Sequence, residues 1–250
     1  MPAKIKICGI STPEALDATI AARADYAGLV FYPASPRAVT SNVAGALTSR
    51  AAGQIAMVGL FVDADDAVIA DALVAAKLNA LQLHGSESPE RVAQLRARFG
   101  KPVWKALPVA SASDVARAAA YAGAADLILF DAKTPKGALP GGMGLAFDWS
   151  LLAGYRGALP WGLAGGLNPT NVAEAIARTG ALISILPSAS VLWGWRPESL
   201  KYHPNFRSTL ENAENRKNKV SSFPLLVQGF LPAAGNNAAW LRRSTCATAH

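Results

Sequence analysis

The feature that most constrains this chain is a repeat of pattern rather than of residues. From Lys4 to about residue 186, short β-branched or apolar runs alternate with longer, Ala-rich amphipathic windows. Strand-like and helix-like periodicities in alternation describe parallel strands joined by helical crossovers. The candidate strands are 4–8, 26–31, 55–62, 80–83, 102–106, 126–130, 160–164 and 181–186. Helix-start signals stand between them: Thr12-Pro13-Glu14, Asp63 before 64–76, Ser88-Pro89-Glu90, Ser113-Asp114, Asp148 and Asn168-Pro169. Eight βα units close into an α/β fold of the (β/α)8 TIM-barrel type, although an open, doubly wound sheet fits five or six of them as well. The barrel is favoured because Cys8, Arg37, Asp63, His84, Lys105 and Asp131 each fall just after a strand. In a parallel barrel those strand ends converge on one mouth.

Taken singly, each of these residues has a plainer reading. Cys8, at the end of K-I-K-I-C-G-I, fits a small buried apolar filler; His84 fits a core imidazole, and Asp131 a turn cap. Their convergence is what makes them a candidate site. In L-A-G-G-L-N-P-T-N-V (163–172), the N–H groups of Gly165 and Gly166 can approach an anion at the start of a helix near Pro169, and the competing reading is a tight turn. L-P-G-G-M-G (139–144) reads as a mobile loop over the mouth.

Composition narrows the class. A chain of 250 residues with 51% hydrophobic side chains can bury one full core. The two cysteines, Cys8 and Cys246, are too far apart in sequence for a disulfide framework, and no N-terminal stretch has the order of a signal peptide. A reducing, cytoplasmic setting is expected. The most apolar long window, Thr179 to Trp195, carries Pro187 and falls short of the roughly 20 residues a membrane helix needs. The net charge of +7 is uneven: residues 1–180 hold 16 Lys/Arg against 14 Asp/Glu, whereas 181–250 hold 8 against 3. The expected division is therefore a barrel domain over 1–200 and a basic, atypical extension over 201–250 whose composition suits disorder. A tail for nucleic acid or phospholipid is the less favoured alternative.

Several motifs then carry a resemblance. K-I-C-G-I (6–10), F-Y-P-x-S-P-R (31–37), V-G-L-F-V-D (58–63), Q-L-H-G-S-E-S-P-E (82–90), F-D-A-K (130–133), L-P-G-G-x-G (139–144), F-D-W (147–149) and L-A-G-G-L (163–167) occur in order over residues 4–178. In this the chain resembles the phosphoribosylanthranilate isomerase family of tryptophan biosynthesis. The resemblance implies a (β/α)8 fold and a cofactor-free Amadori rearrangement of N-(5′-phosphoribosyl)anthranilate, with no metal. It implies Cys8 as general base and Asp131 as general acid. A thiolate serves as a base near neutral pH where a cationic or helix-end environment favours it, and a buried carboxyl is helped to stay protonated. Arg37 matches the family residue that holds the anthranilate carboxylate with a planar fork, and His84 matches a supporting rim residue, counted with Arg37, Gly165 and Gly166 as substrate-binding. The implied partner is a phosphorylated small molecule; neither a membrane nor nucleic acid is expected.

After Arg178 the resemblance stops. The family pattern continues with Asp-Val-Ser-Ser-Gly-Val-Glu and a last helix, but this chain reads G-A-L-I-S-I-L-P-S-A-S-V-L-W-G-W-R-P-E-S-L-K (180–201). The abruptness suggests a change of reading frame. The expected consequence is an atypical or incomplete eighth βα unit lacking half of the phosphate site. Ser188 or Ser190 is the available hydroxyl there, and Pro187 removes a donor. A non-catalytic barrel that binds a sugar phosphate or a partner protein remains the alternative.

Overall fold

The computed structural model describes residues 3–133 and 147–192. The 139–144 loop, Cys246 and the proposed 201–250 extension lie outside the described residues. Eight parallel strands form a closed ring in chain order: β1 (Lys4–Cys8), β2 (Tyr26–Val30), β3 (Ala56–Phe61), β4 (Ala80–Leu83), β5 (Val103–Val109), β6 (Leu127–Ala132), β7 (Trp161–Leu163) and β8 (Ile183–Pro187). Six crossovers carry the helices α1 (Pro13–Ala21), α2 (Ser41–Ala51), α3 (Asp66–Ala76), α4 (Pro89–Phe99), α5 (Ala112–Ala116) and α6 (Val172–Thr179). A 3₁₀ turn at Trp149–Leu152 lies between β6 and β7, and α7 (Ala189–Leu192) follows β8.

The start signals act as helix caps where their chemistry is complete. Thr12 and Ser88 accept from the N–H groups of Ala15 and Arg91, each with proline in the first turn behind it. Three expected starts shift. Asp65, not Asp63, precedes α3; Asp63 instead adopts a left-handed φ of 48°. Ser111, not Ser113, caps α5 through the Asp114 N–H. Asn168 does not begin α6. Its Oδ1 accepts from the N–H groups of Thr170 and Asn171, and this turn delays the helix to Val172.

The ring closes where the sequence departs from the family. β8 pairs with β1 over five residues, Lys4 with Ile183 through Cys8 with Pro187. Alternation along β8 sends Ile183 and Ile185 into the barrel and Leu186 into the layer beneath the helices, so apolar pattern alone suffices for an eighth strand. The barrel interior is a packed core of Val58, Ala80, Trp104, Ala106, Leu127, Leu129, Ile183 and Ile185, and the larger cluster lies between strands and helices.

Candidate active site

Carrying the strand registers round the ring sorts the inward side chains into layers of four from alternate strands. Lys6, Val58, Trp104 and Gly162 share one layer. Gly28, Gln82, Leu129 and Ile185 lie above it, then Cys8, Leu60, Ala106 and Ala164. His84 and Asp131 reach the mouth with Val30 and Pro187. The site therefore stands directly on the core, with the small side chains of Ala106 and Ala164 in the layer of the half-buried Cys8.

Asp131 is 5% exposed. Its Oδ1 accepts the N–H of Ala132 at 2.8 Å, and its Oδ2 lies 3.0 Å from His84 Nε2. His84 Nδ1 in turn lies 3.3 Å from Gln82 Nε2, while Gln82 Oε1 is buried without a partner. Three side chains thus form a column from the barrel interior to the acid. Gly165 closes on it from β7: a Cβ there would stand 2.5 Å from the Ala132 nitrogen and 2.9 Å from Asp131 Oδ1, and its φ is +82°. Gly166 also has positive φ, and among the described residues no acceptor takes the N–H of either glycine.

Cys8 is a free, half-buried thiol. Next to it Gly9 has a φ of +87°, and a Cβ there would meet Arg37 Cδ at 2.7 Å and Nη1 at 3.1 Å. The Arg37 side chain therefore lies across the backbone beside the thiol, as the convergence argument expected. The Cys8 carbonyl accepts the Ser188 N–H at 2.9 Å, so the first residue after β8 secures the end of β1.

Two expected mouth residues are elsewhere. Lys105 lies between Trp104 and Ala106 on β5, both inward, so alternation turns it outward toward the helices. There its Nζ bonds Glu87 Oε2 at 3.0 Å and the carbonyls of Gly85, Leu83 and Ala106. Burial holds the Lys105 ammonium below its ordinary value against the opposing pull of Glu87. Asp63 accepts from the N–H and hydroxyl of Ser86, and its own N–H donates to Glu87. Both residues brace the segment that carries His84. Asp63 and Glu87 also line a cavity of about 450 Å³ with Asp65, Asp66 and Arg91; none of the inward layer residues lines it.

Sequence reasoning missed Lys6, Gln82 and Glu87. The first two had a signal: in K-I-K-I-C and Q-L-H, period-two alternation sets Lys6 on the face of Cys8 and Gln82 on the face of His84. Glu87, a carboxylate in a loop, had none, because its distant partners, Asp63 and Lys105, come from two other segments.

The family described as N-(5'phosphoribosyl)anthranilate (PRA) isomerase matches residues 5–186. An N-(5'-phosphoribosyl)anthranilate isomerase of Paramagnetospirillum magneticum is 53% identical over 182 residues, covering 72% of this chain and 85% of the relative. Among solved structures, the phosphoribosyl anthranilate isomerase from Thermotoga maritima aligns with a TM-score of 0.68 at 30% identity, over 85% of this chain and 99% of that one. A phosphoribosyl anthranilate isomerase in complex with reduced 1-(o-carboxyphenylamino)-1-deoxyribulose 5-phosphate aligns with a TM-score of 0.64 at 30% identity, over 86% and 99% of the two chains.

Proposed function

The chain belongs to the phosphoribosylanthranilate isomerase family and is an isomerase of tryptophan biosynthesis, and on that premise we propose how its residues divide the reaction. The substrate is N-(5′-phosphoribosyl)anthranilate, an aminoaldose, and the product is 1-(2-carboxyphenylamino)-1-deoxyribulose 5-phosphate. Asp131 gives a proton to the furanose oxygen; the C1′–O bond breaks, and the nitrogen lone pair forms the C1′=N bond of an iminium. The Cys8 thiolate then takes the C2′ proton, and the C–H electrons form C1′=C2′ as the nitrogen regains its pair. Protonation at C1′ and loss of the C2′ hydroxyl proton leave the ketone.

The single observation that carries this reading is the placement of a free thiol and a buried, hydrogen-bonded carboxyl at one barrel mouth. His84 supports the acid. As the Gln82 amide stands, its Nε2 faces His84 Nδ1, which leaves Nε2–H of the imidazole to donate to Asp131. Turning the amide over presents the unpartnered Oε1 to an Nδ1–H, and His84 Nε2 then accepts from a protonated Asp131. The column accommodates both states of the acid. Arg37 offers its fork to the anthranilate carboxylate beside Cys8, and Gly165 and Gly166 offer N–H groups to the phosphate. The free thiol suits a reducing, cytoplasmic setting, and no helix among the described residues is long and apolar enough to cross a membrane.

The test is an assay for the ketose product. Cys8→Ser and Asp131→Asn should each lower kcat by about 10² or more with little change in KM, as expected for groups used mainly in the transition state. A fully active serine variant would remove Cys8 from the mechanism.

A further inference from the structure

Lys6 is fully buried in the barrel, yet its Nζ has no hydrogen-bond partner. An ammonium placed this way is costly unless an anion lies near it. The space it occupies is left open for it. Gly28, in the layer above, lacks the Cβ that would stand 2.5 Å from Lys6 Nζ and 3.0 Å from its Cε. The Cys8 Cα lies 3.2 Å from that same point. Lys6 Nζ and Cys8 Cα are therefore within about 6 Å of each other, which puts the ammonium beside the residue that carries the thiol. The side chain rises from the layer two below Cys8, on the same face of the same strand.

We propose that Lys6 is a positioning residue whose ammonium, lying under Cys8 in the space opened by Gly28, is the counter-ion of the Cys8 thiolate. The surrounding groups leave this role to it. Arg37 crosses Gly9, beyond Cys8 on the same strand end, whereas Lys6 approaches from the barrel interior. His84 and Asp131 are taken up with one another at the ends of β4 and β6. On β5, Lys105 is outside the ring on Glu87, and Asp63, after β3, is held on Ser86. On β1 and β2, Lys4 and the Tyr26 hydroxyl bond each other at the exposed floor. Gln82, in the layer Lys6 reaches, contributes an unpartnered carbonyl oxygen rather than a charge.

The proposal builds on the reading of Cys8 as base, and alkylation of the thiol tests it separately from catalysis. Lys6→Met keeps the length and removes the charge. The midpoint of Cys8 alkylation by iodoacetamide against pH should rise by about one to two units. In the same variant kcat/KM should fall roughly tenfold or more at pH 7, recover toward pH 9, and leave KM unchanged. An unchanged alkylation midpoint overturns the proposal, including when activity is lost at every pH, because a packing role alone would do that. If alkylation shifts as stated while Cys8→Ser stays active, the base assignment fails and the ion pair stands. Should Lys6→Met not fold, the reciprocal measurement decides: the lysine 13Cε resonance of Lys6 should titrate at lower pH in Cys8→Ser than in the native protein, since coupling between two sites is mutual. Identical titration in both overturns it.

Discussion

His84 reaches from the end of β4 to the end of β6 and sets its Nε2 3.0 Å from Asp131 Oδ2, both side chains largely buried. The contact spans the end of β5 and ties together the two strands that flank it. His84→Ala should lower kcat by about ten- to a hundredfold with a smaller change in KM, because the imidazole steadies the acid rather than holding substrate. Gln82→Leu, which removes the amide beneath it, should have the same direction and a smaller size. Steady-state kinetics on both variants separate this column from a merely structural one, in which stability would fall and kcat would not.

At residue 165 a methyl group is excluded by backbone on one side and by conformation on the other. Gly165→Ala should cost about 1–3 kcal/mol and lower kcat as well, since the displaced atoms include Asp131 Oδ1. Gly154→Ala is the control: its Cβ would meet nothing within 4 Å, and chemical denaturation should register little change.

Lys105→Met should destabilise the protein by about 3–5 kcal/mol, because it strands the buried Glu87 carboxylate. Replacing Glu87 as well should not restore the loss, since that carboxylate also accepts the N–H groups of Asp63 and Gly85. The pH dependence has a definite sign. The folded-state value of Lys105 is depressed below its ordinary 10.5, so between the two values the unfolded chain binds more protons and native stability rises with pH. Urea midpoints measured through that window should climb in the native protein relative to the methionine variant.

The eighth strand is complete as a strand and poor as a phosphate loop. Pro187 has no N–H, and the Ser188 N–H is already used by the Cys8 carbonyl. Each charge-assisted hydrogen bond to phosphate is worth roughly 1.5–3 kcal/mol, so two missing donors correspond to two to four powers of ten in binding. Replacing residues 181–250 by a family-type Asp-Val-Ser-Ser-Gly-Val-Glu strand and last helix should lower KM by about that factor. Equal KM values in the two proteins would mean that Ser188, Ser190 or Gly194 supplies the donors.

The frame of the barrel was legible because its determinants are local: period-two runs reproduce all eight strands, and capping residues with proline behind them reproduce the starts of α1 and α4. Cys8, Arg37, His84 and Asp131 were legible as a group because parallel strands carry their ends to one side. Lys105 was misplaced because sequence position at a strand end does not by itself say which face a side chain takes. Its neighbours Trp104 and Ala106, both fitted to the interior, decide that. The helix near Pro169 was read one turn early because the Asn168 side chain competes for backbone donors that the helix would otherwise use. Glu87 was invisible for a different reason, being defined by partners on β5 and in the loop after β3 that only the closed ring brings together.

The seam between β1 and β8 gives the molecule an order of assembly. Of the eight strands, the one that ends in the thiol is made before the others, and the strand that pairs with its other edge ends 179 residues later, at Pro187. Contacts of such separation form late, because loop closure costs entropy before the pairing returns anything. Until they form, one edge of β1 stays unpaired, and the backbone on either side of Cys8 lacks the Ser188 bond that fixes it. A nascent or truncated chain that stops short of residue 188 would therefore carry its nucleophilic sulfur on an open strand edge, exposed to oxidation and to mispairing, and catalytic competence would arrive only with the last turn of the ring.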